Sequence, residues 1–242
     1  VGIGTTFVVN AVSFLAVLAA LLFMRFPPGA LAPANVNAAS AFREGMRFVV
    51  GRPSPRRLMV MTGIMSVFGG SFVVMLPVFA RDAVHVGAEG YGVLVASVGV
   101  GALAGALFLA WFGSHAPRHR LVYGSAGILG VLLVMVGFTP WFWVAAFILA
   151  AAGAALILTY VSINTMLQIQ APDDLRGRVM GFYAFMALGV APLGALQIGW
   201  LSEVLGVRAA MAIGGVLCSI GAAALWYHRR RSRRRHPGDE SV

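Results

Sequence analysis

The chain has 242 residues, of which 60% are hydrophobic and 11% are charged, and its formal net charge at pH 7 is +10. A soluble domain carries about a quarter charged residues, so this composition excludes an ordinary soluble globular protein. Apolar runs of about twenty residues recur along the chain, and about twenty helical residues are needed to cross roughly 30 Å of hydrocarbon. The sequence therefore predicts an all-α membrane protein with several spans.

Taken in chain order, the apolar runs predict seven spans, at 3–24, 58–80, 92–113, 121–138, 143–169, 179–201 and 208–228. A linker at 25–57 separates the first two spans and opens with Pro27 and Pro28, which cannot continue a helix. Within it, Phe42, Met46 and Val49 fall at helical spacing. This spacing predicts an amphipathic helix, which either lies along the membrane surface or packs as an ordinary loop helix.

The basic residues are all arginines, and they indicate which side of the membrane each break faces. Sixteen of them lie in one set of alternate breaks, whereas only Arg81 and Arg208 lie in the other set. Because positive residues near span ends are retained in the cytoplasm, the linker and the basic tail at 229–242 are predicted to be cytoplasmic. For that tail, binding to anionic lipid is favoured over binding to nucleic acid.

Small residues predict where helices approach closely, because helices in lipid associate through tight packing. The third span contains the GxxxG pair Gly101 and Gly105, and the fifth contains Gly153 among the alanines of 150–155. Both spans are therefore expected to make tight interfaces. In the sixth span, Gly189 and Pro192 are among the residues that predict a bend.

Several segments resemble the major facilitator superfamily, in particular its drug and siderophore efflux branch, which includes the bacterial enterobactin exporter. They are FVVNAVSFL at 7–15, LPVFARD at 76–82, the glycine-rich stretch at 87–92 with the glycines that follow it, and LRGRVMG at 175–181. The resemblance implies a helical bundle of two six-helix halves joined by a cytoplasmic linker. On that plan, 1–24 is the last helix of the N-terminal half, 25–57 the linker, and 58–228 the C-terminal six-helix domain.

The chain begins at Val1 without a methionine, so we expect it to be a fragment whose partner is the missing N-terminal half. The superfamily's hallmark loop, GxxxDRxGRR, has a degenerate counterpart between Gly113 and Arg120. There Gly113 and Arg118 match, but Pro117 occupies the acidic position. The resemblance also marks the 175–181 segment, so the candidate gating residues on the arginine-rich side are Gly113, Arg118, Arg176, Gly177 and Arg178.

A second echo of the loop contains Glu203 and Arg208 on the opposite side. These two residues either form a latch for the outward face or are simply solvated helix ends. Ionisable groups at mid-depth in a membrane are costly and usually functional, but this chain carries none there. A coupling carboxylate is therefore expected in the missing half or at a helix end such as Glu203.

Neutral polar residues follow helical spacing on three spans: Asn10 on the first, Tyr160, Asn164 and Gln168 on the fifth, and Gln197 on the sixth. Residues four apart share one helix face, so these positions are candidates for a substrate pathway. The alternative is hydrogen bonding between helices, which is favoured for Asn10.

Together these features predict export of a small amphipathic molecule, a drug or a siderophore, by alternating access with proton coupling. The predicted location is the bacterial inner membrane, with membrane lipids as surroundings. The sequence carries no nucleophile motif, phosphate loop or metal-ligand spacing, so no enzyme activity, cofactor or nucleic-acid partner is expected. The alternative function is a membrane scaffold, or a transporter remnant, that has kept the fold without transport.

Overall fold

The computed structural model describes residues 3–23, 38–113 and 118–235, and every regular element in these ranges is helical. Six helical stretches are long and apolar enough to cross a membrane: Pro53–Ala83, Ala88–Phe112, Arg118–Phe138, Phe142–Gln170, Arg176–Leu205 and Val207–Ser232. An additional apolar helix, Val8–Phe23, is shorter. The predicted all-α membrane architecture is confirmed, with six spans that satisfy length and composition in the described ranges.

The α-helices are α1 Ile3–Phe23, α2 Ala38–Gly51, α3 Pro53–Ile64, α4 Phe72–Val78, α5 Ala88–Phe112, α6 Arg118–Phe138, α7 Phe142–Gln170, α8 Arg176–Ala184, α9 Ala191–Leu205 and α10 Val207–Arg235. Three short π-helical segments interrupt the long stretches, at Met65–Gly69, Phe79–Ala83 and Phe185–Gly189. Residues 1–40 form one unit and residues 41–242 form a second. In the first unit, the described side chains of α1 from Val8 to Phe23 are exposed.

The helices that extend furthest beyond the predicted spans are α3 and α10. The α3 helix begins at Pro53 rather than at Leu58, with proline in its first turn, where the missing N–H has no intrahelical partner to lose. Arg57 is consequently inside the helix and only 7% exposed. The α10 helix runs through the arginine cluster to Arg235, because arginine is a good helix former and no glycine or proline interrupts the cluster.

The α5 and α7 helices pack against each other through the glycines that the sequence singled out. A Cβ atom on Gly101 would overlap the carbonyl of Ala150, and one on Gly105 would lie 2.7 Å from the carbonyl oxygen of Ala154. On the other side, Gly153 of α7 packs against the backbone of Val98. The predicted tight interfaces of the third and fifth spans are confirmed, and the two spans are each other's partner.

The α6 and α7 helices also share a buried polar contact. The hydroxyls of Ser125 and Thr159 lie 2.7 Å apart. Each hydroxyl also lies within hydrogen-bonding distance of a carbonyl one turn earlier on its own helix, that of Leu121 for Ser125 and that of Ala155 for Thr159, so two protons are shared among three contacts. Both polar groups are therefore satisfied in the apolar interior, as burial requires.

Candidate functional site

Two of the long apolar stretches are broken near their middles. In Pro53–Ala83, the helix changes to a π-helical segment at Met65–Gly69, and α4 begins only after Gly70 and Ser71. In Arg176–Leu205, the π-helical segment Phe185–Gly189 separates α8 from α9. The predicted bend in the sixth span is confirmed. The break in the second span was not predicted, although the sequence Gly69-Gly70-Ser71 could have indicated it.

The two breaks contact each other directly. The Ser66 hydroxyl in the first break donates a hydrogen bond of 3.0 Å to the carbonyl of Ala187 in the second. Gly194 at the start of α9 sits so close that a Cβ atom there would lie 2.7 Å from the carbonyl oxygen of Val67. Only a residue without a side chain fits this contact, so Gly194 lets the broken stretches meet.

Polar groups released by the first break are satisfied locally. The Ser71 hydroxyl lies 2.7 Å from the carbonyl oxygen of Val67 and 3.1 Å from that of Ser66. A free carbonyl in the hydrocarbon region costs several kcal/mol, so an interrupted helix persists there only with such partners. Ser71 thus stabilises the break without straightening the helix.

The polar stripe predicted on α7 lies beside both breaks. The Gln168 side-chain amide donates to the Asn164 Oδ1 atom at 2.5 Å. The Tyr183 hydroxyl on α8 donates to the backbone carbonyl of Tyr160 at 3.3 Å, and its side chain also hydrogen-bonds to Asn164. The Tyr160 hydroxyl in turn lies 3.5 Å from where a Cβ atom on Gly70 would be. The structure therefore joins three predicted pathway residues to Tyr183, which the sequence did not single out.

The other two predicted pathway residues lie elsewhere. Gln197 is half-buried on α9, about one turn beyond Gly194. Asn10 lies on α1 in the first unit, where its side chain is exposed. The polar cluster in the second unit consequently consists of Tyr160, Asn164 and Gln168 together with Tyr183.

The arginines that begin α8 are held by partners from two other elements. Arg176 forms an ion pair of 2.6 Å with Asp173 and donates to the backbone carbonyl of Gln168 at 3.3 Å. Arg178 forms an ion pair with Glu44 of α2. Gly177 between them faces open space. The start of α8 is therefore tied to both the polar stripe and the linker.

The α2 helix packs on α8 by more than this ion pair. The Phe42 ring makes edge-to-face contacts with Phe182 and Phe185, at centroid distances of 5.2 and 5.4 Å. Gly45 is buried so closely that a Cβ atom would lie 2.8 Å from the carbonyl carbon of Arg178. The amphipathic linker helix therefore packs on α8 through its apolar side.

The remaining candidate gating residues lie at helix ends. Gly113 is the C-cap of α5, and its N–H donates to the carbonyl of Leu109 at 2.8 Å. Arg118 is exposed at the start of α6. Residues 114–117 between them, including the Pro117 of the degenerate loop, lie outside the described residues.

The structure does not bring Glu203 and Arg208 together in an ion pair. Glu203 is exposed in the last turn of α9. The Arg208 guanidinium instead donates to the carbonyl of Ala83 at 2.6 Å. This bond attaches the start of α10 to the end of the Pro53–Ala83 stretch.

A bundle of long apolar helices, with two interrupted helices meeting beside a neutral polar cluster, is an architecture found in membrane transporters. Sequence comparison gives the family: residues 1–236 match the transmembrane secretion effectors of the major facilitator superfamily, and the chain belongs to this family. No solved structure matches the chain.

Curated relatives include multidrug efflux pumps called Tap. The pump of Mycolicibacterium fortuitum is 28% identical over 193 residues, which is 78% of this chain and 46% of that protein. The pumps of Mycobacterium bovis (strain BCG / Pasteur 1173P2) and Mycobacterium tuberculosis (strain CDC 1551 / Oshkosh) are each 28% identical over 171 residues, 70% of this chain and 40% of theirs. The chain thus spans less than half the length of these relatives.

Proposed function

We propose that the chain is the C-terminal part of an efflux transporter that exports small amphipathic molecules, such as drugs or siderophores, by alternating access. Family membership and the similarity to multidrug efflux pumps support efflux. A second six-helix half upstream would complete the pathway, consistent with the chain covering 46% of the first relative. Protons are the proposed energy source.

The contact between the two broken helices carries this proposal. Discontinuous helices mark substrate sites in many transporters. Here the Ser66–Ala187 hydrogen bond joins the breaks, and the α7 polar stripe lies beside them. Neutral amides and tyrosines bind an amphipathic molecule without requiring a particular charge on it.

The polar cluster is tested by efflux of ethidium from bacteria that express the complete gene. Replacing both Asn164 and Gln168 with leucine removes two neutral hydrogen-bonding groups, each worth about 1 kcal/mol, so efflux should fall about tenfold or more. Thr165→Val on the same helix is the matched control, because the only bond of the Thr165 hydroxyl within the described ranges is to the carbonyl of Val161 one turn away.

Membrane expression of each variant must be measured alongside efflux. Reduced efflux at normal expression supports the pathway assignment. Loss of expression with unchanged efflux per molecule would instead assign Asn164 and Gln168 to folding. Absence of efflux in the unaltered complete protein, over a panel of amphipathic compounds, would favour a scaffold or a remnant.

Proton coupling is proposed to involve either Glu203 or an upstream carboxylate. Most other described acidic groups already have cationic partners, as with Asp82, Asp173 and Glu44. The pH profile of efflux in Glu203→Gln separates the two possibilities. An unaltered profile removes Glu203 and places the coupling carboxylate elsewhere.

We also propose that the linker and the C-terminal tail face the cytoplasm, on the strength of the arginine asymmetry. Fusing green fluorescent protein, which fluoresces only when it folds in the cytoplasm, after Val242 tests this orientation. The contrary result has two parts: the fluorescent-protein fusion is dark, and a fusion of alkaline phosphatase at the same position is active, as this enzyme is in the periplasm. That result would reverse the proposed topology.

A further inference from the structure

A groove of about 600 Å³ lies between α6 and α10, away from the broken helices. Its lining includes Arg120, Tyr123, Gly127, Ile128, Ala223 and Trp226. Ser219 also lines it, but its hydroxyl already donates to the carbonyl of Gly127 at 3.2 Å. The groove is therefore apolar along most of its length, with its charge at one end.

Glycines explain why the groove exists. Where α6 and α10 touch, Gly130 packs against Gly215, and a Cβ atom on Gly137 would lie 2.6 Å from the carbonyl oxygen of Arg208. Further toward the start of α6, a Cβ atom on Gly124 or Gly127 would meet nothing within 4 Å. Gly130 and Gly137 therefore allow α6 to contact α10 closely, whereas Gly124 and Gly127 leave space that no side chain fills.

The length of the groove matches one leaflet. Its lining on α6 runs from Arg120 to Leu132, which corresponds to about 18 Å at 1.5 Å per residue. Half of a hydrocarbon core of roughly 30 Å is about 15 Å. A single acyl chain lying along α6 would therefore extend from the charged end to the middle of the membrane.

The charged end presents cations and an aromatic ring. Arg120 is exposed there, and the Arg230 guanidinium stacks 3.7 Å over the ring of Trp226, which also lines the groove. Among the described residues, no carboxylate forms an ion pair with Arg120 or Arg230. Tryptophan favours the membrane interface, so this end is suited to a lipid head group.

We propose that this groove binds an anionic phospholipid, with one acyl chain along the glycine-opened surface and the phosphate between Arg120 and Arg230. Basic pockets between transmembrane helices bind acidic head groups in this way. A cationic amphipathic substrate would be repelled by the same two arginines. The site requires only that the chain spans a membrane, so it does not depend on the proposed efflux function.

The test is native mass spectrometry of the complete protein in detergent, with added dioleoyl phosphatidylglycerol or dioleoyl phosphatidylcholine. The expected result is preferential retention of phosphatidylglycerol, with affinity reduced about fivefold in Arg120→Gln, the effect of about 1 kcal/mol per arginine near an anionic surface. Arg120→Lys, which keeps the charge, should retain most of the affinity.

A second variant tests the apolar part of the groove. Gly127→Leu should fill it and weaken phosphatidylglycerol retention about as much as Arg120→Gln. Gly99→Leu is the control, because Gly99 is likewise a helical glycine whose Cβ atom would meet nothing within 4 Å. If Gly127→Leu unfolds in detergent, the proposal is tested by the phosphatidylglycerol affinities of Arg120→Gln and Arg120→Lys. Equal affinities in these two variants would contradict it.

Equal retention of the two lipids, or equal loss in Gly127→Leu and Gly99→Leu, would overturn the proposal. The proposal would also be overturned if the lipophilic cation tetraphenylphosphonium displaced phosphatidylglycerol, and did so equally well in Arg120→Gln. That result would assign the groove to a cationic compound. Because binding is measured without transport, a negative result here leaves the efflux proposal unaffected.

Discussion

Adding one methyl group at Gly101 or Gly105 should separate α5 from α7. At Gly105 the new Cβ atom would lie 2.7 Å from the carbonyl oxygen of Ala154. It would also lie 2.9 Å from the Cα atom of Ala154, and carbon atoms pack best at about 3.5 to 4.0 Å, so the helices must move apart locally by about 0.6 Å or more. A gap of 0.5 to 1 Å forfeits about a quarter to a half of each dispersion contact across the interface. Overpacking of this kind costs about 1 to 3 kcal/mol.

Gly101→Ala should be the more damaging of the two, since its Cβ atom would overlap the carbonyl of Ala150. The free energy of unfolding is measured in mixed micelles by titration with sodium dodecyl sulfate, followed by circular dichroism. Gly99→Ala is the control on the same helix, because open space surrounds its Cβ position, and it should be neutral or slightly stabilising. Equal destabilisation by Gly99→Ala and Gly101→Ala would refute the assigned interface.

Three further predictions concern other contacts. Gly194→Ala should push α9 away from Ser66 and abolish efflux while leaving helix content, measured by circular dichroism, unchanged; full efflux would show that this contact is dispensable. Removing Glu44 or Arg178 should each cost less than about 1 kcal/mol in thermal unfolding, because the pair is partly exposed. Exchanging their charges should recover most of that loss, and an additive double variant would argue against the pair. Ser125→Ala should cost about 0.6 kcal/mol in the same assay, and a cost above about 2 kcal/mol would indicate a larger role for the α6–α7 contact.

Hydropathy predicted the spans well because burial in lipid depends on the length of an apolar run. It predicted their ends less well. Pro53 and the residues after it are too polar to belong to an apolar run, yet proline is favourable in a first helical turn. The arginines up to Arg235 are likewise too polar for the hydrocarbon core but remain helical. A helix can therefore be longer than the part of it that spans the membrane, and hydropathy predicts only the length of the spanning part.

Glycine spacing predicted contact faces but not contact partners. Gly101 and Gly105 meet the backbone of α7, but nothing in their spacing identified α7 as the partner. The break at Gly70 was missed because hydropathy is continuous across it, while its cause is a local change in backbone hydrogen bonding. The Glu44–Arg178 pair joins residues 134 positions apart, and no helical period relates two positions so distant.

The paired breaks and the docked linker helix have a joint consequence for motion. Ser71 satisfies the carbonyls at one break and Gly194 allows the second to approach, so the junction persists without a side chain wedged between the helices. Because α8 leads directly into its break and carries α2 on Phe182 and Arg178, any tilt of α8 about the junction must move α2 or release it. If transport proceeds by rocking of these segments, the linker is therefore mechanically part of the gate. A disulfide between cysteines placed at Phe42 and Phe182 in the complete protein should arrest efflux until it is reduced, whereas continued efflux with the bond formed would separate the linker from the gate.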